Sequence, residues 1–213
     1  MSGFDQAITV PALSSGRKVS TVRDQQVLPQ AVSAQSGFSL IEVSLVTAIV
    51  LLLAVIAVPA ITNYVIENRV PKVAEELARF MLNNEIAAPT STSSPYQQVD
   101  VTTLSYYVTE SGVLDVRGQG ASTRVLHGLG NDGQISLQPV DQGERYRLSL
   151  DKVHHAACPG IASVLQRVSH HIEISAGTGA ATVVKGDGVT YNALLAKSAC
   201  GRGAVNTFSF IAG

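Results

Sequence analysis

The sequence has little charge and no tryptophan. Charged residues make up 15% of the 213, and the formal net charge is -1. The chain therefore lacks the basic excess that favours nucleic-acid partners, and no nucleic acid is a predicted partner. There is also no internal repeat and no long block of like charge. A hydrophobic content of 46% with so little charge indicates one membrane segment joined to a globular domain.

The first 37 residues contain no apolar stretch. A secretory signal carries its hydrophobic stretch upstream of the cleavage site and loses it when cut. Here the apolar run lies downstream of Gly37, so a cut at that residue would leave the run on the mature protein. Basic residues before the run favour a cytoplasmic amino end, and those after it weaken that preference. These residues are Arg17, Lys18 and Arg23 before the run, and Arg69 and Lys72 after it.

The apolar run extends over residues 43–61 and is interrupted only by Ser44, Thr47 and Pro59. At about 1.5 Å per residue, a helix over this run is roughly 28 Å long, close to the thickness of the bilayer core. The run by itself is equally consistent with an ordinary signal-anchor of a bitopic membrane protein. Pro59 and Pro71 each remove a backbone donor and predict bends.

Glu42 stands immediately before this run. A carboxylate that enters hydrocarbon is costly, by about 2.5 kcal/mol for Asp at a helix centre and less near an end. One interpretation places Glu42 at headgroup depth, where a helix N-terminus favours an anion. A second interpretation requires a cut after Gly37, which creates an ammonium group on Phe38, one helical turn before Glu42. The carboxylate could then pair with that amine, in the same chain or in a neighbouring one.

The motif Gly37-Phe38-Ser39-Leu40-Ile41-Glu42-Val43 resembles the class III signal of type IV pilins and pseudopilins. The resemblance implies that a prepilin peptidase, acting from the cytoplasmic side, cuts after Gly37 and methylates the new amino terminus of Phe38. It also implies that Glu42 attracts the amino group of a neighbouring subunit during assembly. The motif covers about residues 36–61.

The segment from Tyr64 to Ile86 predicts an amphipathic helix that continues the apolar one. Its apolar residues recur at spacings of four and three, and its charged residues fall largely off that stripe. The stripe consists of Ile66, Val70, Val73, Leu77 and Phe80. The breaker-rich stretch 88–95 predicts that the helix ends near Ala87.

Short β-branched or alternating runs from Leu104 onward predict strands, with a tight turn at Asn131-Asp132-Gly133. A helix of about ten residues is expected near 157–168. The predicted fold class is α+β, with a mainly antiparallel sheet on a long helix. The strands are expected at 104–109, 113–117, 123–126, 134–138, 145–150, 171–175, 181–185 and 205–211.

Cys158 and Cys200 are the only cysteines. In the oxidising compartment that the resemblance implies, such a pair is most simply a disulfide, which could add about 4 kcal/mol by the chain-entropy estimate. Free or catalytic thiols are the alternative, although no C-x-x-C spacing occurs. The carboxy-terminal order of strand, Cys158, helix, strand and Cys200 resembles the type IVb pilins, which include thin-pilus and bundle-forming pilus subunits. A leader of 37 residues fits that class, whereas Phe38 is more usual in type IVa.

Two histidine pairs, His154-His155 and His170-His171, are candidate metal ligands. Adjacent residues point in different directions on a helix or a strand, so neither pair forms a chelating face. The glycine-rich stretches lack phosphate-loop spacing, and no G-x-S-x-G elbow occurs. We therefore predict no metal, no cofactor and no enzymatic activity.

These observations predict a leader over 1–37, a membrane and assembly half-helix over 38–62, and a head over 63–213. The resemblance implies a major pilin, anchored in the inner membrane with a cytoplasmic amino end and then packed into an extracellular filament. Its partners would be other copies of itself, prepilin peptidase, the assembly machinery of the inner membrane, and lipid. The alternatives are a minor pilin, a type II secretion pseudopilin, or a bitopic protein with a periplasmic ligand-binding head.

Overall fold

The computed structural model describes residues 37–213, so the predicted leader, apart from Gly37, lies outside the described residues. By their internal contacts, the described residues 37–44 belong to one unit and Leu45–Gly213 form another. The long predicted helix is present as α1, Leu40–Ala87, with 48 residues. It ends at the residue that the breaker-rich stretch indicated.

After α1, three short α-helices and seven strands follow along the described chain. Seven strands form one sheet, and every neighbouring pair in it is antiparallel. The elements are α2 (Val101–Val108), β1 (Asp115–Arg117), β2 (Arg124–Leu126), β3 (Gln134–Val140), β4 (Arg145–His154), α3 (Cys158–Leu165), β5 (His171–Ala176), β6 (Thr182–Lys185), α4 (Ala193–Ser198) and β7 (Ala204–Ala212).

The sheet order is β1-β2-β3-β4-β7-β5-β6. The last strand of the chain therefore lies in the middle of the sheet, between β4 and β5. Its pairing with β4 runs from Tyr146 opposite Ala212 to His154 opposite Ala204, and the register shifts on both sides of Val153. Lys152, just before that shift, has a φ of 48°, which allows the local irregularity.

One hydrophobic core joins the second half of α1 to the sheet and to the shorter helices. The predicted stripe is confirmed, because all five of its residues are buried. Gly160 in α3 lies against Val70, and an added Cβ there would come within 2.9 Å of the Val70 Cγ1 atom. Phe80 packs edge-on against Tyr107 of α2, with ring centroids 5.8 Å apart. Glu76 differs from the expectation for the charged residues, because only 8% of it is exposed.

The predicted strand over 104–109 is wrong, because these residues lie in α2 and the first residue after it. The Asp100 carboxylate accepts a hydrogen bond from the Thr103 backbone N–H at 2.8 Å, which caps the helix and lowers the pKa of Asp100. Leu104 and Val108, four residues apart, are both buried. The β-branched composition suggested a strand, but the Asp100 cap and the four-residue spacing of the buried Leu104 and Val108 favour a helix.

Candidate functional site

The predicted cleavage motif lies at the start of the described chain. Gly37, Phe38 and Ser39 precede α1, and the Ser39 carbonyl oxygen accepts a hydrogen bond from the Val43 N–H at 3.1 Å. Among the described residues, no atom lies within 4 Å of a Cβ added at Gly37, and Phe38 is 82% exposed. Within the described residues, both positions of the predicted cleavage site are therefore uncovered.

Glu42 is in the first turn of α1 and is exposed. It follows Phe38 by four residues, so an amine on Phe38 would lie about one turn before the carboxylate. The aligned backbone N–H groups at this end of a helix favour an anion. The described geometry is thus compatible with both interpretations of Glu42, as a headgroup-depth acid and as a partner for an amine.

The first half of α1 exposes its apolar side chains on every face. From Val43 to Ile61 the large apolar side chains are 48–78% exposed. Among the described residues, α1 is the one helix long and apolar enough to cross a membrane, with a mean hydropathy of 2.8 in its most apolar window. Each such side chain gains about 1.5–3 kcal/mol when it is fully buried. A surface of this kind requires a cover, which lipid or other helices can provide.

The predicted disulfide is confirmed. Cys158 and Cys200 are bonded, with their Cα atoms 6.4 Å apart, inside the usual range for a disulfide. The bond joins the first residue of α3 to the segment between α4 and β7. It therefore closes the carboxy-terminal part of the head at the two points that the sequence indicated.

The loop after Cys200 is held by Asn206, a buried residue of β7. Its side-chain oxygen accepts a hydrogen bond from the Gly201 N–H at 2.7 Å. Its amide nitrogen donates to the carbonyl oxygens of Gly201 and Val153, each at 3.0 Å. Three backbone groups thus depend on one side chain, and this fixes the path of residues 200–203.

The four histidines of the two pairs do not converge on a common site. The rings of His154 and His155 lie 4.2 Å apart, whereas His171 instead bonds the Glu173 carboxylate through Nε2 at 2.9 Å. Burial, and next the neighbouring His155, lower the pKa of His154. Within residues 37–213 no three His, Cys, Asp or Glu side chains come together as a potential metal site.

Sequence reasoning missed His127, which is fully buried beside the predicted turn at 131–133. Its Nε2 lies 2.8 Å from the Asp151 carbonyl oxygen, and its Nδ1 accepts a hydrogen bond from the Leu129 N–H at 3.0 Å. These partners require a neutral ring with its proton on Nε2. Burial lowers the pKa of His127 in agreement with that state. No periodicity marks such a residue, because its partners are backbone groups.

The sequence also did not predict a cleft of about 340 Å³ beside the disulfide. Lys197 and Arg202 line it together with Asn63 and Glu67 of α1. The sequence gives no sign of this cleft, because Asn63 and Glu67 are more than a hundred positions from Lys197 and Arg202 and the four belong to no motif.

The described features define a class of protein: an α+β head built on the second half of a helix whose first half is apolar and exposed. The long helix, the antiparallel sheet and the carboxy-terminal disulfide are the features that the resemblance to type IV pilins implied.

No protein-family model matches the chain, and no curated protein sequence matches it. Among solved structures, the chain is similar to TcpA, a type IV pilin from Vibrio cholerae El Tor biotype. The similarity has a TM-score of 0.38 at 12% sequence identity, and it covers 68% of this chain and 99% of that one.

Proposed function

We propose that this chain is a type IV prepilin, and that its mature form is the major subunit of a filament. The proposal rests on two observations taken together. Gly37 and Phe38 are uncovered among the described residues, and the apolar residues 43–61 that follow them in α1 are exposed. The function is structural rather than catalytic.

Maturation starts with a cut by prepilin peptidase after Gly37, on the cytoplasmic side of the inner membrane. The new amino group on Phe38 is then methylated and keeps its positive charge. The apolar run after it remains on the mature chain and holds the chain in the bilayer with the head in the periplasm. The leader over 1–37 leaves with the cut.

Assembly transfers the apolar half of α1 from lipid to a bundle of the same helix in other copies. This transfer keeps the 43–61 side chains covered, so the gain from burying them is retained. The Glu42 carboxylate in one copy attracts the Phe38 ammonium in another, which sets the axial register because an unpaired charge among apolar helices is costly. The head, closed by its disulfide, then forms the outer surface that acts in adhesion, aggregation or conjugative contact.

The proposal is tested at Gly37. A Gly37→Phe variant, expressed with prepilin peptidase and the assembly machinery, is expected to keep its leader and to form no filaments. A Gly3→Phe variant, which makes the same change inside the leader, is the matched control and is expected to mature normally. A bitopic protein with a ligand-binding head would be unaffected by either change. Normal filaments from Gly37→Phe would reject the prepilin proposal.

The same experiment separates the subunit types within the family. A major subunit is expected to supply most of the protein mass of purified filaments. A minor pilin or a type II secretion pseudopilin would be cut in the same way but would be at most a trace component of them.

A further inference from the structure

We propose that the cleft beside the disulfide, lined by Lys197 and Arg202, binds the phosphate of an anionic lipid headgroup while the chain is in the membrane. This inference rests on the proposed function in one respect only, which is that the apolar run ending at Ile61 lies in a bilayer. We call this cleft with its two cations the cationic cleft.

The height of the cationic cleft along α1 is the first argument. Asn63 and Glu67 line it and follow Ile61 by two and six residues. At about 1.5 Å per residue these positions lie about 3 and 9 Å beyond the end of the apolar run. The headgroup layer on each side of the hydrocarbon core is roughly 5–7 Å thick. Asn63 therefore lies within the headgroup layer and Glu67 just outside it, so the cleft opens beside the lipid phosphates.

The charge of the cationic cleft is the second argument. Lys197 and Arg202 are both exposed, and neither forms an ion pair with an acid among residues 37–213. Of the described residues that line the cleft, Glu67 is the one acid, so their fixed charges sum to a net positive value. Surface cations at this depth are attracted to anionic lipid, whereas the chain as a whole has a net charge of -1.

His155 supplies a further polar group to the cleft wall. Its Nδ1 accepts a hydrogen bond from the Gly203 N–H at 3.1 Å, so the neutral ring carries its proton on Nε2. The backbone N–H of His155 also donates to the Gly203 carbonyl oxygen at 2.9 Å. With the Asn206 bonds to Gly201, these contacts fix the loop that carries Arg202.

Exposed apolar side chains on the two segments that carry Lys197 and Arg202 are the third argument. Leu194 on α4 is 77% exposed, and Leu195 and Val205 are also exposed. Lys197 belongs to the same six-residue helix as the leucines, and Arg202 precedes Val205 by three residues. Exposed leucine beside lysine or arginine is the composition of surfaces that lie in the membrane interface. A soluble anion would use the cations but would leave the leucines in water.

The test uses the full-length chain, labelled with ¹⁵N, in detergent micelles. Dioctanoyl-phosphatidylglycerol is titrated in, with dioctanoyl-phosphatidylcholine and inorganic phosphate as the comparison probes. Saturable amide shifts are expected at Ala156, Gly201 and Gly203 with phosphatidylglycerol, and much weaker ones with the other two. Equal binding of phosphatidylcholine would overturn the proposal, and equal binding of inorganic phosphate would assign the cleft to a free anion instead.

The variant for the second arm is Lys197→Gln with Arg202→Gln. Since each surface cation contributes roughly fivefold to anionic-lipid affinity, the apparent Kd is expected to rise about thirty-fold. The matched control is Arg79→Gln with Arg124→Gln, which removes the same charge from two other exposed positions and is expected to change Kd less than twofold. Equal losses in both variants would mean attraction by net charge alone and would overturn the proposal.

The two proposals fail separately. A chain that resists carbonate extraction from vesicles, is cut after Gly37, and shows no preference for phosphatidylglycerol keeps the prepilin proposal and rejects the lipid site. A chain that prefers phosphatidylglycerol through Lys197 and Arg202 but is not cut keeps the lipid site and rejects the prepilin proposal.

Discussion

Cys158 and Cys200 are bonded to each other across a sequence separation of 42 residues, and the bond joins the start of α3 to the approach to β7. Because β7 lies between β4 and β5, the bond restrains the segment that completes the sheet. Folding of the head therefore depends on the last residues of the chain.

Removing this disulfide is expected to destabilise the head. Cys158→Ser with Cys200→Ser should lower the free energy of unfolding by about 2–5 kcal/mol, because the unfolded chain loses a covalent restraint. Denaturant unfolding of the full chain in detergent, followed by near-ultraviolet circular dichroism, measures the change. A reductant should destabilise the unsubstituted protein and leave the double variant unchanged. Equal stability of the two proteins would show that the bond contributes nothing.

The stability of the head is expected to fall on acidification below about pH 6.5, the ordinary pKa of histidine. The pKa of His127 is lowered in the folded state, so between that lowered value and 6.5 the unfolded chain binds more protons than the folded one. The stabilisation is complete above 6.5 and is lost as the pH falls toward the folded pKa. His154 shifts in the same direction and adds to the slope.

The His127 contribution is isolated by substitution. His127→Gln should flatten the dependence of unfolding free energy on pH between 5 and 7, although it also lowers stability by disturbing the bonds to Asp151 and Leu129. His170→Gln, the same substitution at an exposed position, is the control against which the change in slope is compared. An unchanged slope in His127→Gln would show that other groups carry the acid sensitivity.

The buried stripe of α1 is expected to hold the head on the helix. Leu77→Ala should cost about 2–5 kcal/mol of unfolding free energy, because it removes buried methyl groups and leaves a cavity. Leu82→Ala makes the same chemical change on a side chain that is 44% exposed, and it should cost much less. Thermal unfolding of both variants measures the difference. Similar losses would mean that residue 77 does not pack in the core as described.

Glu42 is expected to matter for assembly and not for cleavage. A Glu42→Gln variant should still be cut after Gly37 but should yield far fewer filaments, because the attraction to the Phe38 ammonium is lost. Glu85→Gln, at an exposed position near the far end of α1, is the control and should assemble normally. Quantitative immunoblotting of cell-bound and sheared fractions measures both steps. Full assembly of Glu42→Gln would contradict a role of Glu42 in assembly and would favour its interpretation as an acid at headgroup depth.

Local patterns were sufficient for much of this fold. The spacing of the apolar residues from Ile66 to Phe80 predicted the buried stripe of α1. The helix-breaking residues after Ala87 predicted where the helix ends. The strands β1 to β7 were each predicted at least in part, because β-branched runs were separated by turn residues. The cysteine pairing needed no geometry, since two cysteines permit only one intramolecular bond.

Other features depend on distant contacts and could not be predicted from local patterns. The helix α2 was mistaken for a strand because its threonines, tyrosines and valines favour strands, while its Asp100 cap and its contact with Phe80 favour a helix. The cationic cleft and His127 were missed because each is assembled from segments far apart in sequence. The place of β7 in the middle of the sheet is a property of topology and not of its own residues.

The most direct test is the intact mass and amino-terminal sequence of the membrane-extracted protein, expressed with and without prepilin peptidase. With the peptidase, the account predicts a chain that starts at Phe38, carries one added methyl group, and is two hydrogens lighter than its reduced form. Without the peptidase, the chain should start at Met1. A chain that still starts at Met1 when an active peptidase is present would contradict the account, and Glu42 would then be an acid at headgroup depth in a bitopic protein.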